Sequence, residues 1–318
     1  MDMAVRVRAR RREAEGICSF ELEALDGQPL PRFSAGAHID VQVPGGLVRQ
    51  YSLCGDAQDL RHWRIGVLRD PASRGGSAGM HDAVQVGSVL QVGLPRNLFG
   101  LADAPHSVLV AGGIGVTPIL AMARQLNLEN KAFELHYCAR SPERMAFKDE
   151  IAAAGFARRA RFYFDEGSDA GRLDALATLN AAPAGSHLYV CGPAGFMDHV
   201  LACARTAGWP DERLHREHFA AAAVPASSGD RPFVMHLARS GQALQVPAGT
   251  TALQVLLDHD IDINFSCESG ICGSCITPVL DGIPEHRDSC LMDAEHAENK
   301  LFTPCCSRAK TPALVLDL

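Results

Sequence analysis

Residues 267–275 read CESGICGSC, three cysteines in a C-x4-C-x2-C pattern. A dithiol redox site needs one C-x2-C at the start of a helix and has no use for a third cysteine. Structural zinc takes two closely spaced pairs, and here a single pair follows a lone cysteine. The pattern matches instead the plant-type spacing for a [2Fe–2S] cluster, whose fourth thiolate comes from elsewhere in the chain. Ser269, Gly270, Gly273 and Ser274 are small enough for the loop to wrap the cluster closely. Backbone N–H groups would then reach its sulfurs and tune its potential. A reactive or zinc-bound thiol group is the competing reading.

Other stretches could bind a flavin and a nucleotide. In RQYS (Arg49–Ser52), the guanidinium of Arg49 can hold a phosphate bidentately, and the Tyr51 ring can cover a flavin. The Ser52 hydroxyl can bond near the flavin N5, although such a tetrapeptide alone is usually only a strand. Downstream, RGGSAGMHDAV (Arg74–Val84) puts Gly75, Gly76 and Ser77 at a short helix start, where free N–H groups suit a phosphate. An ordinary glycine turn is the alternative. GGIGVTP (Gly112–Pro118) follows an apolar run but lacks the third glycine of the dinucleotide fingerprint. Gly112, Gly113 and Gly115 still permit close approach to a pyrophosphate, and Thr117 can bond it or a nicotinamide. In CGPAGFM, Gly192 and Pro193 force a turn that places Cys191 beside a nicotinamide, rather than as a plain core thiol. No histidine or other base lies near Cys191 in sequence, so it is not expected to be a nucleophile. Asp165, with Glu166, ends ARFYFDEG, where a carboxylate accepts bonds from ribose hydroxyls and repels a 2′-phosphate. That favours NADH over NADPH, against the alternative of a solvated acidic loop.

The elements that must carry these residues fall into three textures. HIDVQV, LVRQYSL, WRIGVLRD and GSVLQVGL alternate apolar and polar positions between turn residues, as in a small antiparallel barrel. From SVLVAGG (Ser107–Gly113) onward, buried strand-like runs alternate with helical patterns such as TPILAMARQL, AFKDEIAAAG and GFMDHVLACARTAG. This implies a doubly wound parallel sheet, which binds ligands beyond the carboxyl ends of its strands. FAAAAVPASSGDRP (Phe219–Pro232) has the composition of a linker. Beyond it, FVMHLARSGQALQVPAG predicts a hairpin, and TTALQVLLDHD a helix capped by Thr250 or Thr251. The expected domains are therefore 1–102, a barrel; 103–222, a nucleotide-binding α/β domain; 223–231, a linker; and 232–318, a cluster-binding domain.

Composition narrows the partners. The formal charge is −7, with 24 Lys+Arg against 25 Asp+Glu up to Gly229 but 6 against 12 from Asp230 onward. An acidic tail argues against nucleic acid and anionic membranes and suggests a basic docking face on another protein. No apolar run of about 20 residues is present to span a bilayer, and the basic N-terminus lacks a secretory apolar region. Eleven clustered cysteines fit a reducing cytoplasm better than a disulfide framework. With no apolar stripe left over, a monomer is expected.

The order R-x-Y-S, G-G-S, G-G-I-G-x-T-P, C-G-P and C-terminal C-x4-C-x2-C…C resembles that of the phthalate dioxygenase reductase family, over essentially the whole chain. The resemblance implies a ferredoxin-reductase-type flavin barrel, an NAD-binding domain and a plant-type ferredoxin of β-grasp fold. It implies FMN on Arg49, Tyr51, Ser52, Gly75, Gly76 and Ser77, since relatives with an N-terminal ferredoxin usually carry FAD. Thr117, Asp165, Cys191 and Gly192 would line the NADH site, with Ser52, Thr117 and Cys191 at the reacting atoms. Cys267, Cys272 and Cys275 would hold the cluster with a later cysteine, the candidates being Cys290, Cys305 and Cys306. In such ferredoxins the last ligand precedes one small residue and then Ser-Arg or Ser-Lys; CCSRAK places Cys305 in that register, although the doubled cysteine is a departure. The implied activity is NADH-driven electron transfer through FMN and the cluster to a Rieske non-haem iron oxygenase acting on an aromatic acid or ether. The alternatives are a cytochrome P450 reductase and an electron-carrier or redox-sensing subunit without NADH turnover of its own.

Overall fold

The computed structural model describes residues 2–71, 75–166, 171–219, 230–265, 270–271 and 273–318; Cys267, Cys272 and most of the expected linker lie outside them. The chain divides into two compact units, Met1–Glu217 and His218–Leu318.

The first unit begins with β1 (Met3–Ala14), β2 (Ile17–Ala24), β3 (His38–Gln42), β4 (Val48–Ser52) and β5 (Trp63–Leu68), followed by helix α1 (Gly76–Ala83) and β6 (Val89–Val92). These six strands form an antiparallel sheet in the order β4-β3-β6-β1-β2-β5. An antiparallel bridge between Leu53 and Ile65, beside a 2.8 Å bond from Cys54 N to Arg64 O, joins its two outer strands and closes the barrel. The period-2 pattern does the sorting: Val5 and Val7 turn inward with Phe20, Leu22, Ile39 and Trp63, while Arg6 and Arg8 face water.

Next come β7 (Ser107–Gly112), α2 (Val116–Leu128), β8 (Phe133–Ala139), α3 (Lys148–Ala153), β9 (Ala160–Phe164), α4 (Ala175–Ala181), β10 (His187–Cys191), α5 (Ala194–Thr206) and β11 (Leu214–Glu217). The five strands are parallel, in the order β11-β10-β7-β8-β9. Strand β7 is buried throughout. Its Leu109 and Ala111 pack toward α2 and α3, and its Val108 and Val110 toward α4 and α5. The winding reverses between β7 and β10, the point at which doubly wound sheets bind ligands.

The barrel and this sheet share one core. Ile17, Ala35, Cys54 and Phe99 belong to the cluster built round α2. Arg64 donates two bonds to Glu150, at 2.7 and 2.8 Å, while Arg124 pairs with Glu150 and donates to Cys54 O at 2.9 Å. Barrel and sheet, which meet in sequence between β6 and β7, are thus packed into one compact unit.

The second unit holds β12 (Phe233–Leu237), β13 (Ala243–Val246), α6 (Ala252–Asp258), β14 (Thr277–Asp281), β15 (Pro284–Glu285), α7 (Asp293–Glu298), β16 (Leu301–Phe302), β17 (Arg308–Ala309) and β18 (Ala313–Leu316). Its mixed sheet, in the order β13-β12-β18-β14-β16, has β12 parallel to β18 and grips α6, the β-grasp arrangement. Thr251 caps α6, accepting from Gln254 N at 3.1 Å. Among the described residues, no helix is long and apolar enough to cross a membrane.

Candidate active site

Strand β4 delivers Arg49, Tyr51 and Ser52 to the barrel's edge, and α1 begins close by. A methyl carbon built on Gly76 would lie 2.6 Å from Arg49 Nε, so the guanidinium rests directly over the helix start. Gly75 supplies the left-handed turn there, with φ +103°. A cation and the start of a helix thus meet at one place, an arrangement that suits a phosphate. Ser77 Oγ accepts from Asp70 N at 3.1 Å, which ties the helix entry to the loop before it. The half-buried Tyr51 phenol is kept protonated by burial, which outweighs the opposing Arg49 charge.

Ser52 is buried and donates to Glu217 Oε2 at 3.1 Å. Glu217, at the end of β11, has its pKa pushed up to about 8 by burial, which the Ser52 bond opposes. His38, opposite Ser52 on β3, has Nδ1 3.9 Å from Glu217 Oε1. Glu217 also pairs in register with Cys191 on β10. Burial and the neighbouring Glu217 push the Cys191 thiol well up, so it stays uncharged. The elements holding Ser52 and Cys191 thus converge on one largely buried carboxyl.

At the switch point the glycines are consumed by close packing. A methyl carbon on Gly115 would lie 2.2 Å from the Cys191 carbonyl oxygen, and one on Gly192 3.0 Å from Gly112 Cα. One on Gly112 would lie 2.8 Å from the Phe196 ring and 3.1 Å from Pro193. Gly113 takes φ +55° with open space around it, so backbone is exposed where a pyrophosphate would approach. Thr117 is buried; its hydroxyl donates to Ile114 O at 3.0 Å, leaving its oxygen lone pairs for a ligand. Asp165 follows β9 at the same carboxyl end of the sheet, exposed and 3.3 Å from Arg172 Nε.

In the second unit, Cys275, Cys305 and Cys306 are buried with Leu253. Gly270 and Gly273 adopt φ +75° and +65°, left-handed conformations that let the loop turn back on itself. Cys306 Sγ lies 3.5 Å from Thr303 Oγ1 and 3.8 Å from Ser307 Oγ, and a methyl carbon on Gly270 would meet it at 2.5 Å. Cys290 is partly buried, 3.5 Å from Asp288 Oδ2. Buried thiols beside left-handed glycines fit an iron–sulfur cluster.

Comparison with known proteins gives the family. Residues 235–310 match the family model of the 2Fe-2S iron-sulfur cluster binding domain. Residues 96–214 match that of the dimethylamine monooxygenase subunit DmmA-like N-terminal domain. Vanillate O-demethylase oxidoreductase from Pseudomonas sp. (strain HR199 / DSM 7063) is 53% identical over 313 residues, covering 98% of each chain. The solved structure of phthalate dioxygenase reductase, described as modular for electron transfer from pyridine nucleotides to [2Fe-2S], matches with a TM-score of 0.73 and 39% identity, over 99% of this chain and 98% of that one. The chain belongs to the phthalate dioxygenase reductase family. This family member is an oxidoreductase of the flavin and iron–sulfur class, with its cluster domain at the C-terminal end. A region of an intact type IV self-sufficient cytochrome P450 monooxygenase is also similar, with a TM-score of 0.89 and 41% identity over 99% of this chain and 41% of that one.

Glu217, His38 and Gly66 are the site neighbours that sequence reasoning missed. Gly66 on β5 packs against Thr117, whose methyl would lie 2.7 Å from a methyl carbon built there. None sits in a motif; the one available signal was that Glu217 ends a short strand-like run, LHRE.

Proposed function

We propose that this reductase carries electrons from NADH through FMN and a [2Fe–2S] cluster to a Rieske non-haem iron oxygenase acting on an aromatic acid or ether. The observation that carries it is the meeting of barrel and sheet at Glu217, which joins the Ser52 edge to the Cys191 edge at the switch point. When bound, the flavin takes electrons in pairs from the nicotinamide and the cluster passes them on singly. The protein supplies placement and charge. Arg49 and the α1 start hold the flavin phosphate, and Tyr51 covers the ring. Ser52, its proton held at Glu217 Oε2, offers its lone pairs to the flavin edge. Gly112, Gly113 and Gly115 admit the pyrophosphate, and Thr117, Cys191, Gly192 and Pro193 line the nicotinamide. Asp165 would exchange Arg172 for ribose hydroxyls. Cys267, Cys272, Cys275 and Cys305 hold the cluster, Cys305 being the cysteine that one residue and then Ser307-Arg308 follow, as the family's last ligand is followed. None of the described cysteines is in a disulfide, which suits a cytoplasmic setting.

A second reading, delivery to a cytochrome P450, is favoured by the similar region within the self-sufficient P450 chain. A carrier subunit without NADH turnover would have no need of the closely packed Gly112–Thr117 and Cys191–Pro193 edges. An anaerobic NADH titration, followed by absorbance and low-temperature EPR after the released flavin is identified, tests the path. Bleached flavin and one reduced cluster per chain are expected. A cluster reducible by dithionite alone would overturn the NADH assignment. Reconstitution with a Rieske oxygenase and with a P450 then separates the two acceptors.

A further inference from the structure

The second unit carries a group of side chains that the electron path does not use. His286, Asp288 and His296 each offer one ligand atom, and these atoms lie within 4.8 Å of one another. The Asp288 side chain is 0% exposed. His296 Nε2 lies 3.2 Å from its Oδ2 and His286 Nδ1 3.7 Å from its Oδ1, the latter too long for a hydrogen bond. The His286 side chain is only 8% exposed, and neither of its buried ring nitrogens makes a hydrogen bond of good geometry, although the Asn299 side chain, Asp288 and the Lys310 charge face the ring. The two rings stack with centroids 4.4 Å apart. A buried imidazole left in this way costs free energy unless something occupies its nitrogen.

We propose that His286, Asp288 and His296 bind one divalent transition-metal ion of the zinc class, through a nitrogen of each ring and a carboxylate oxygen. Zinc–ligand distances of about 2.0–2.2 Å put tetrahedral ligand atoms roughly 3.4 Å apart, so the two stacked rings must unstack, the more exposed His296 ring turning, to aim both nitrogens at one ion and leave a fourth position for water. Imidazole with one carboxylate is a borderline donor set that suits zinc rather than calcium or magnesium. Asp288 comes ready oriented. Its Oδ1 accepts from Thr303 Oγ1 at 3.2 Å and lies 3.4 Å from Ser307 Oγ, and its Oδ2 accepts from Leu291 N at 3.0 Å. These bonds are the outer shell that fixes a ligating carboxylate. They also run to residues flanking Cys305 and Cys306, so the ion pins the segment after β15 to α7 beside the cluster loop. It is a site of its own, distinct from the cysteine ligands, although Cys290 stands nearby.

The test uses the full chain with its cluster loaded. Zn²⁺ is titrated in competition with a chromophoric chelator, and Co²⁺ serves as the optical probe. One equivalent of Zn²⁺ beyond the iron is expected, with cluster absorbance unchanged and the protein's thermal midpoint raised. Co²⁺ should give the comparatively intense d–d bands of a four-coordinate site and no thiolate charge-transfer band. Loss of even an outer-shell partner costs about 10–100-fold in affinity, so His286→Ala and His296→Ala should each weaken binding by more than tenfold. His296 is 25% exposed, so its variant should keep the fold and cluster spectrum even if the His286 variant does not. No zinc uptake, equal uptake by the variants, a sulfur charge-transfer band or release of cluster iron would each overturn the proposal.

Discussion

A carboxyl group largely withdrawn from water, such as that of Glu217 with its side chain 14% exposed, keeps its proton far above the usual range, here to about 8 against an ordinary 4.5. In the unfolded chain the same group ionises near 4.5. Between those values the folded state binds a proton that the unfolded state has lost, so stability falls as pH rises through this window and levels off above 8. The effect is at most about 5 kcal/mol, since one pKa unit is worth about 1.4 kcal/mol. Glu217→Gln should abolish this slope, which urea unfolding of both proteins at pH 5.5 and 8 would check. Ser52→Ala should push the window higher, because the Ser52 bond is what holds the value down. Neither effect could be seen in the sequence. Ser52 and Glu217 are 165 positions apart, and Glu217 belongs to no motif. Arg49, Tyr51 and Cys191 could be singled out as candidates because each stands in a short run whose chemistry is local.

Among the elements, the turns after β7 and β10 act as one part. Alanine at Gly115 would drive a methyl into the Cys191 carbonyl, where only backbone could give way. Gly115→Ala should cut NADH-dependent flavin reduction at least tenfold, while dithionite still produces the full cluster signal in EPR. The sequence marked this glycine, but for nucleotide approach; the contact that compels it lies across the sheet. Gly66 passed unnoticed because a lone glycine inside a strand has no pattern, yet it admits Thr117 against the barrel. The Arg64–Glu150–Arg124 group joins barrel to sheet in the same way. Glu150→Ala would leave two guanidinium groups facing each other without their carboxylate. Removing one partner of a buried pair costs about 3–5 kcal/mol; because the Glu150 side chain is 34% exposed, about 2 kcal/mol is expected here, as a lower urea midpoint.

For the molecule as a whole, charge and division matter most. Residues 230–318 carry 12 acidic against 6 basic side chains. Turnover with the true oxygenase should therefore fall severalfold as salt is raised from about 0.05 to 0.5 M, because screening shortens the reach of surface charge. Steady-state rates at fixed oxygenase concentration measure it; a flat response would sink the acidic docking face. Three textures were legible along the chain because each has its own apolar period. The fusion of the first two was not, since it depends on long-range contacts among Cys54, Arg64, Arg124 and Glu150 that leave no periodic trace.

The same division has a bearing on how such chains can be recombined. Glu217 is the last residue of the first unit, and it is also the residue that Ser52 touches. A gene fusion or module exchange joined after residue 217 would carry a complete flavin edge into its new setting. A splice made one codon earlier would keep every recognisable motif of the first unit and still amputate the carboxyl beneath them.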